Sequence, residues 1–122
     1  MAIKKILVVD DMPMYLEQIK HILLAKGYET ITAVSGKEAL EKARADHPDL
    51  IFMDVVMPEM DGFAACRELT KDCTTKKIPV VFVSSKNSEA DRVWAELQGA
   101  KAYITKPYTA DQILDQVEFF SR

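Results

Sequence analysis

The most apolar strand-like stretch of the sequence is Leu50-Ile51-Phe52-Met53, and it ends on a carboxylate, Asp54. The same pattern occurs at Ile6-Leu7-Val8-Val9, which runs into Asp10-Asp11. Two further runs end on other polar residues: Val80-Val81-Phe82-Val83 leads into Ser84-Ser85, and Ala102-Tyr103-Ile104-Thr105 leads into Lys106-Pro107. Continuously apolar runs of this length are typical of strands that are covered on both faces of a parallel sheet. Ligands of open parallel sheets bind beyond the carboxyl ends of the strands, so we expect these polar residues to converge there.

Helical patterns separate the runs. Leu16, Ile19 and Leu23 recur at helical spacing, and Ser35 with Glu38 is predicted to form a capping box at the start of the next helix. A fifth strand is predicted over residues 30–34, where apolar and polar residues alternate as they do near a sheet edge. Five strands alternating with five helices indicate an α/β fold, a flavodoxin-like doubly wound (βα)5 sandwich. The predicted parallel five-stranded sheet has the order 2-1-3-4-5.

The bulk properties exclude several classes of protein. A chain of 122 residues is expected to form a single domain, residues 1–122. A formal net charge of −3 argues against a nucleic-acid surface. No apolar run approaches the ~20 residues of a membrane span, and no signal-peptide pattern is present, so we expect a cytoplasmic protein without membrane insertion. Two loosely spaced cysteines, Cys66 and Cys73, do not form a redox or metal motif.

The predicted crevice collects residues that suit a divalent cation and phosphoryl chemistry. Asp10, Asp11 and Asp54 supply hard oxygen ligands, which favour Mg²⁺ (or Mn²⁺). The adjacent acids taken alone would serve equally as a solvated turn and helix cap. Asp54 is either a third metal ligand only or a nucleophile towards phosphorus. Lys106 can supply positive charge to phosphoryl oxygens, and Ser84 can donate a hydrogen bond to one of them.

Together these motifs resemble the receiver domain of two-component response regulators, of the stand-alone chemotaxis type, across essentially the whole sequence. The matching segments are Val8 to Asp11, Met53 to Gly62, Ser84-Ser85 and Thr105-Lys106-Pro107. The resemblance implies that Asp54 is the phosphoacceptor, that Asp10 and Asp11 bind Mg²⁺, and that the backbone carbonyl of Val56 is a further ligand. It implies that Lys106 contacts the phosphoryl group and that Lys106–Pro107 is a cis peptide bond. It also implies that the Ser84 hydroxyl moves towards the phosphoryl group and that the Tyr103 ring turns inward with it.

Some positions depart from the usual pattern of the family. Met12 stands where a polar or acidic residue is frequent, and Val56 and Lys86 occupy the two variable positions that flank the phosphoryl pocket. An apolar Val56 cannot position an attacking water, and Lys86 adds a cation at the rim. We therefore expect a relatively long-lived aspartyl phosphate.

Two other classes of function, a hydrolase and a flavin carrier, compete with a phosphorylation switch on this fold. A true aspartyl-phosphate hydrolase needs an acid two positions after its nucleophile, where this sequence has Met12 or Val56. A flavin carrier of this fold needs a phosphate loop rich in Ser, Thr and Gly after the first strand, where this sequence has Asp-Asp-Met-Pro. Neither alternative fits the residues as well as the switch does.

The resemblance implies a sensor histidine kinase or phosphotransfer protein as phosphodonor and a downstream protein effector, with no direct contact to nucleic acid. The protein is expected to be a monomer or weak homodimer that catalyses only its own phosphorylation and dephosphorylation. The stretch Arg92 to Ala100 is similar to single-domain regulators of type IV pilus twitching motility. Trp94 within it is either an interface anchor or a cover for apolar surface. A receiver excised from a longer regulator is the alternative, although the complete closing helix favours a natural terminus.

Overall fold

The computed structural model describes residues 2–122, in which five strands alternate with five helices. In chain order the elements are β1 (Lys5–Val9), α1 (Pro13–Ala25), β2 (Glu29–Ala33), α2 (Gly36–Asp46), β3 (Leu50–Met53), α3 (Gly62–Lys71), β4 (Val80–Ser84), α4 (Glu89–Leu97), β5 (Ala102–Thr105) and α5 (Ala110–Phe120). All strand pairs are parallel, and the order is β2-β1-β3-β4-β5. The predicted fold and strand order are confirmed.

Side chains that alternate along the three central strands build two apolar layers, one on each face of the sheet. One layer includes Leu7, Ile51 and Phe82, and it is covered by α2, α3 and the buried Ala95 of α4. The other layer, which includes Phe52 and residues of all strands but β2, is covered by α1 and α5. Because both faces are covered, β3 is apolar throughout, and β1 and β4 are apolar except for Lys5 at the start of β1 and Ser84 at the end of β4. The helices therefore leave the carboxyl ends of the strands as the edge where polar residues can gather.

Helix ends follow the sequence in most places. Ser88 and Thr109 each form a reciprocal capping box with an acceptor side chain at the third helical position. The Ser35 box is only half formed, because the Glu38 carboxylate accepts from the N–H of Val34 instead of that of Ser35. Gly27, at φ +84°, ends the α1 region in the left-handed conformation that glycine adopts without strain. None of the helices within residues 2–122 combines the length and apolarity that a membrane crossing requires.

Candidate functional site

Two buried carboxylates follow neighbouring strands. Asp10 comes after β1 and Asp54 after β3, and they are only 2% and 5% exposed. Their backbones extend the sheet, because the Asp10 N–H donates to the carbonyl oxygen of Ala33 (3.1 Å) and the Asp54 N–H to that of Val9 (2.9 Å). The sheet thus fixes the backbone position of both acids.

Hydrogen bonds orient the two carboxylates towards one cation. Oδ1 of Asp10 accepts from the N–H of Met12 at 2.9 Å, and Oδ1 of Asp54 accepts from the N–H of Val55 at 2.7 Å. The second oxygens approach Lys106, whose Nζ lies 2.8 Å from Oδ2 of Asp10 and 3.4 Å from Oδ2 of Asp54. Lys106 is itself buried, and its backbone N–H donates to the carbonyl oxygen of Ser84 at 2.8 Å. The expected cis peptide bond between Lys106 and Pro107 is present.

Asp11 completes a cluster of three carboxylates. It is less buried than Asp10 and Asp54, and carboxylate oxygens of the three residues lie within 4.8 Å of one another. Such a set of hard oxygen donors matches what Mg²⁺ accepts from proteins, which is one or two carboxylates with water and phosphate completing the coordination. The residues therefore fit a divalent cation. Val56, the predicted source of a backbone ligand, lies two residues after Asp54 with an exposed side chain.

Burial raises the free energy of the ionised Asp54 carboxylate. The pKa of Asp54 is raised above its ordinary value, chiefly because burial penalises the charged form, and the neighbouring Asp10 raises it further. The Lys106 ammonium and the Val55 N–H act in the opposite direction but do not cancel this effect. A divalent cation among the three carboxylates would relieve the same penalty, because it supplies the missing positive charge.

The loop after β3 approaches Asp54 through a glycine. The N–H of Gly62 donates to the carbonyl oxygen of Val55 at 2.7 Å. A Cβ atom built at Gly62 would lie 2.1 Å from the carbonyl oxygen of Asp54 and 2.9 Å from the Cα of Val55. Only a residue without a side chain fits this close approach. Gly62 stands in the motif that carries the family resemblance, but the sequence alone did not assign it this role.

Ser84 and Tyr103 meet at the backbone of Lys86. Ser84 is fully buried, and its Oγ accepts from the N–H of Lys86 at 3.2 Å. The half-buried Tyr103 donates its hydroxyl hydrogen to the carbonyl oxygen of the same residue. The Arg92 guanidinium lies 5.1 Å from the centre of the Tyr103 ring and donates to Oγ1 of Thr105 at 2.8 Å. One peptide segment after β4 therefore links the predicted hydroxyl to the predicted aromatic switch.

The three predicted tuning positions lie in the segments that follow β1, β3 and β4. Met12 and Val56 are exposed, and both are apolar. The Lys86 ammonium lies 3.9 Å from a carboxylate oxygen of Asp91 on α4. The side chain of Lys86 therefore has an acidic partner on the neighbouring helix, while its backbone contacts Ser84 and Tyr103.

Two tyrosines that the sequence analysis did not single out stand beside Lys106. Its Nζ lies 3.9 Å from the centre of the Tyr15 ring, and that ring packs against Tyr108 at a centroid distance of 6.3 Å. The Tyr108 hydroxyl is buried, and it has no hydrogen-bond partner among residues 2–122. The position of Tyr15, in the first turn of the helix that follows Asp10 and Asp11, is the feature of the sequence that could have indicated a place near the pocket.

Comparison with known proteins gives one family. Residues 6–118 match the response regulator receiver domain. The chain is 40% identical over 113 residues to Protein PilH of Pseudomonas aeruginosa PAO1, with 93% of each chain covered. Some other curated relatives are longer proteins, of which the chain spans 25% or 49%.

Solved structures agree with this match. The chemotaxis protein CheY4 of Vibrio cholerae superposes with a TM-score of 0.91 at 30% identity, covering 98% of this chain and 99% of that one. The receiver domain of the sensor histidine kinase PA1611 from Pseudomonas aeruginosa PAO1 superposes with a TM-score of 0.89 at 25% identity, with 98% of each chain covered, and it holds a magnesium ion in its active-site cleft. Receiver domains are signalling switches that bind Mg²⁺ in an acidic pocket of this kind, and the chain belongs to that family.

Proposed function

We propose that the chain is a single receiver domain, residues 1–122, that accepts a phosphoryl group on Asp54 from a sensor histidine kinase or phosphotransfer protein. The observation that carries this proposal is the position of the Asp54 carboxylate, which is buried and 3.4 Å from the Lys106 ammonium. The same carboxylate belongs to a cluster of three acids that fits a divalent cation. A nucleophile, a neighbouring cation and a metal site are the components that phosphoryl transfer to a carboxylate needs.

Asp10, Asp11, Asp54 and the backbone carbonyl of Val56 would hold Mg²⁺ (or Mn²⁺). The bound ion would offset the repulsion between the carboxylates and an incoming phosphoryl group. Oδ2 of Asp54, which lies 3.4 Å from the Lys106 ammonium, would attack phosphorus as the bond between phosphorus and the donor's leaving group breaks, because Oδ1 already accepts a hydrogen bond from the Val55 N–H. The bond-forming oxygen of Asp54 loses negative charge as the bond to phosphorus forms. The Lys106 ammonium would then exchange its contact with Asp54 for a hydrogen bond to a phosphoryl oxygen.

Phosphorylation would change the conformation of the segment after β4. The Ser84 hydroxyl would donate to a phosphoryl oxygen, and its movement would break the bond that it accepts from the Lys86 N–H. Because the Lys86 carbonyl holds the Tyr103 hydroxyl, that change would also release or redirect the Tyr103 ring. The phosphoryl group can shift the equilibrium between two conformations of this segment only if it makes different contacts in each. The contact with the Ser84 hydroxyl, and the change at Tyr103 that follows from it, would supply that difference.

The only reactions catalysed are the protein's own phosphorylation and the later loss of the phosphoryl group. The apolar Val56 offers no hydrogen bond to an attacking water. We therefore expect the aspartyl phosphate to last much longer than seconds in the purified Mg²⁺-loaded protein. A half-life of seconds, followed by intact mass after removal of the phosphodonor, would contradict this part of the proposal.

The output would be contact with a downstream protein effector. Three apolar residues of α4, Val93, Trp94 and Leu97, are 51%, 48% and 69% exposed, which favours Trp94 as part of an interaction surface over a role in covering the core. The similarity to PilH supports a place in type IV pilus twitching or chemotaxis-like control. We propose that the protein acts as a monomer or weak homodimer.

Intact mass after incubation with acetyl phosphate and Mg²⁺ tests the proposal. We expect one phosphoryl adduct on the wild-type protein and none on Asp54→Asn or on metal-free protein. Asp115→Asn is the matched control, because Asp115 is an exposed acid on α5 away from the pocket, and it should be phosphorylated like the wild type. An adduct that persists in Asp54→Asn, or no adduct on the wild type, would overturn the assignment.

A further inference from the structure

We propose that Tyr15 is a positioning residue for phosphoryl transfer, and that the face of its ring holds the Lys106 ammonium at the pocket. The inference rests on the proposed function, because Lys106 acts there as the cation that meets the phosphoryl group. The observation that carries it is the position of Nζ, which lies 3.9 Å from the centre of the Tyr15 ring. Tyr15 does not contact the reacting atoms itself; it acts through Lys106.

Three groups surround the Lys106 ammonium. Oδ2 of Asp10 lies at 2.8 Å, Oδ2 of Asp54 at 3.4 Å, and the Tyr15 ring closes a third side. The Lys106 side chain is only 5% exposed, so the attraction between the cation and the ring acts with little competition from water. This places the pair in the desolvated range of cation–π interactions, where the effect is largest.

The face of the Tyr15 ring holds the Lys106 ammonium differently from a carboxylate placed on the same side. It attracts the ammonium through its quadrupole but accepts no strong directional hydrogen bond, so it holds the cation without fixing the direction of its N–H groups. Those groups are then free to turn from the Asp54 carboxylate to a phosphoryl oxygen during transfer. An added carboxylate at this position would compete with the phosphoryl group for the same hydrogens.

The Tyr15 ring is itself held in place. It lies in the first turn of α1, directly after the acidic loop, and it packs against the Tyr108 ring at an interplanar angle of 49°. Tyr108 follows Lys106 by two residues, so the same loop that carries the ammonium also supports the ring beside it. The arrangement joins the start of α1 to the end of β5 around one positive charge.

A series of ring substitutions at position 15 tests the electrostatic role separately from packing. Phenylalanine is incorporated at position 15, first unmodified and then with one, two and three ring hydrogens replaced by fluorine, which weakens the negative ring face with little change in shape. We expect Tyr15→Phe to be phosphorylated by acetyl phosphate and Mg²⁺ at close to the wild-type rate. The most fluorinated ring and Tyr15→Leu should be about tenfold slower, a change equivalent to about 1.4 kcal/mol. Tyr28→Leu is the control and should retain the wild-type rate. Tyr28 is a partly buried tyrosine that directly precedes β2, at the end of the sheet opposite the pocket.

A second readout needs neither metal nor phosphoryl group. In metal-free protein the ε-methylene signals of Lys106 should be shifted upfield by the ring current of the aromatic face, in the wild type and in Tyr15→Phe alike. They should return towards the ordinary lysine position in Tyr15→Leu. Rates that stay flat across the fluorinated series, or Lys106 signals that do not respond to loss of the ring, would overturn the inference. Failure of the wild type to accept a phosphoryl group would overturn the proposed function instead, and the metal-free spectra would still decide whether the ring holds the ammonium.

Discussion

Replacing Gly62 with alanine should displace the backbone that carries Asp54. The new Cβ would lie 2.1 Å from the Asp54 carbonyl oxygen, and ordinary van der Waals contact begins at 3.4 Å, so one of the two must move by about 1.3 Å (3.4 minus 2.1). The neighbouring atoms are also backbone, Val55 Cα at 2.9 Å and Asp54 C at 3.0 Å, and no flexible side chain is available to give way. The shift must therefore be taken up by the loop or by the end of β3.

The size of the effect follows from that displacement. Overpacking of this kind lowers the free energy of unfolding by about 1–3 kcal/mol. A misplacement of about 1 Å at the reacting group can slow a reaction by about 10²-fold. Since the clashing carbonyl oxygen belongs to Asp54, the proposed phosphoacceptor, we expect Gly62→Ala to lose most of its phosphorylation rate while it still folds.

Gly27→Ala is a matched control. A Cβ at Gly27 would meet nothing within 4 Å, but φ is +84°, so the substitution should cost about 1–2 kcal/mol through backbone strain alone. Urea unfolding gives the stability of both variants, and intact mass after acetyl phosphate and Mg²⁺ gives their phosphorylation rates. We expect similar losses of stability in the two variants and a loss of rate only in Gly62→Ala. A folded Gly62→Ala protein with the wild-type rate would refute the argument that Gly62 sets the position of Asp54.

Three further perturbations test other parts of the structure. Asp54→Asn should raise the urea midpoint of metal-free protein at pH 7, because burial penalises the charged Asp54 carboxylate, as its raised pKa indicates, and asparagine carries no charge. As the pH falls from 7 towards the folded pKa, the wild type should gain stability relative to the variant, because its carboxylate becomes protonated. An equal response of the two proteins to pH would contradict this. Iodoacetamide at mildly alkaline pH should modify the exposed Cys73 quickly and Cys66 only on unfolding, because burial raises the pKa of the Cys66 thiol to about 12; mass spectrometry of the peptides decides between them. Arg92→Ala should cost less than about 1 kcal/mol of stability at this exposed contact yet change the NMR signals of the Tyr103 ring, and unaltered signals would show that the guanidinium does not hold the ring.

Much of the fold was predictable from a single repeated pattern. An apolar run such as residues 50–53 has the length and composition of a strand covered on both faces, and the rule for parallel sheets then brings Asp10, Asp54 and Lys106 to one edge. The geometry confirms that these three side chains meet. Their meeting depends on the strand order, which the connection rules limit to few possibilities.

The remaining features depend on distances that periodicity does not contain. The sequence predicts that Lys106 lies in the pocket, but not that its shortest contact is with Asp10 and that a ring closes its third side. Likewise, the close approach of Gly62 to Asp54 arises from the path of a loop, for which hydrophobic pattern gives no signal. On α4, Val93, Trp94 and Leu97 are exposed and only Ala95 is buried, because helical spacing alone does not determine which face of a helix is covered.

The ion pair between Lys106 and Asp10 joins residues that lie 96 positions apart in the chain, from strands that are not neighbours in the sheet. Such a contact can form only after the segments between the two residues have been brought together, and contacts between residues far apart in the chain form later than local ones. A chain still emerging from the ribosome, before β5 exists, has acids at the ends of β1 and β3 but lacks the cation that joins them. Responsiveness to a phosphodonor should therefore appear late, and its recovery during refolding should track the slowest structural signal. Copies of the chain that lack β5 would then not respond to the phosphodonor.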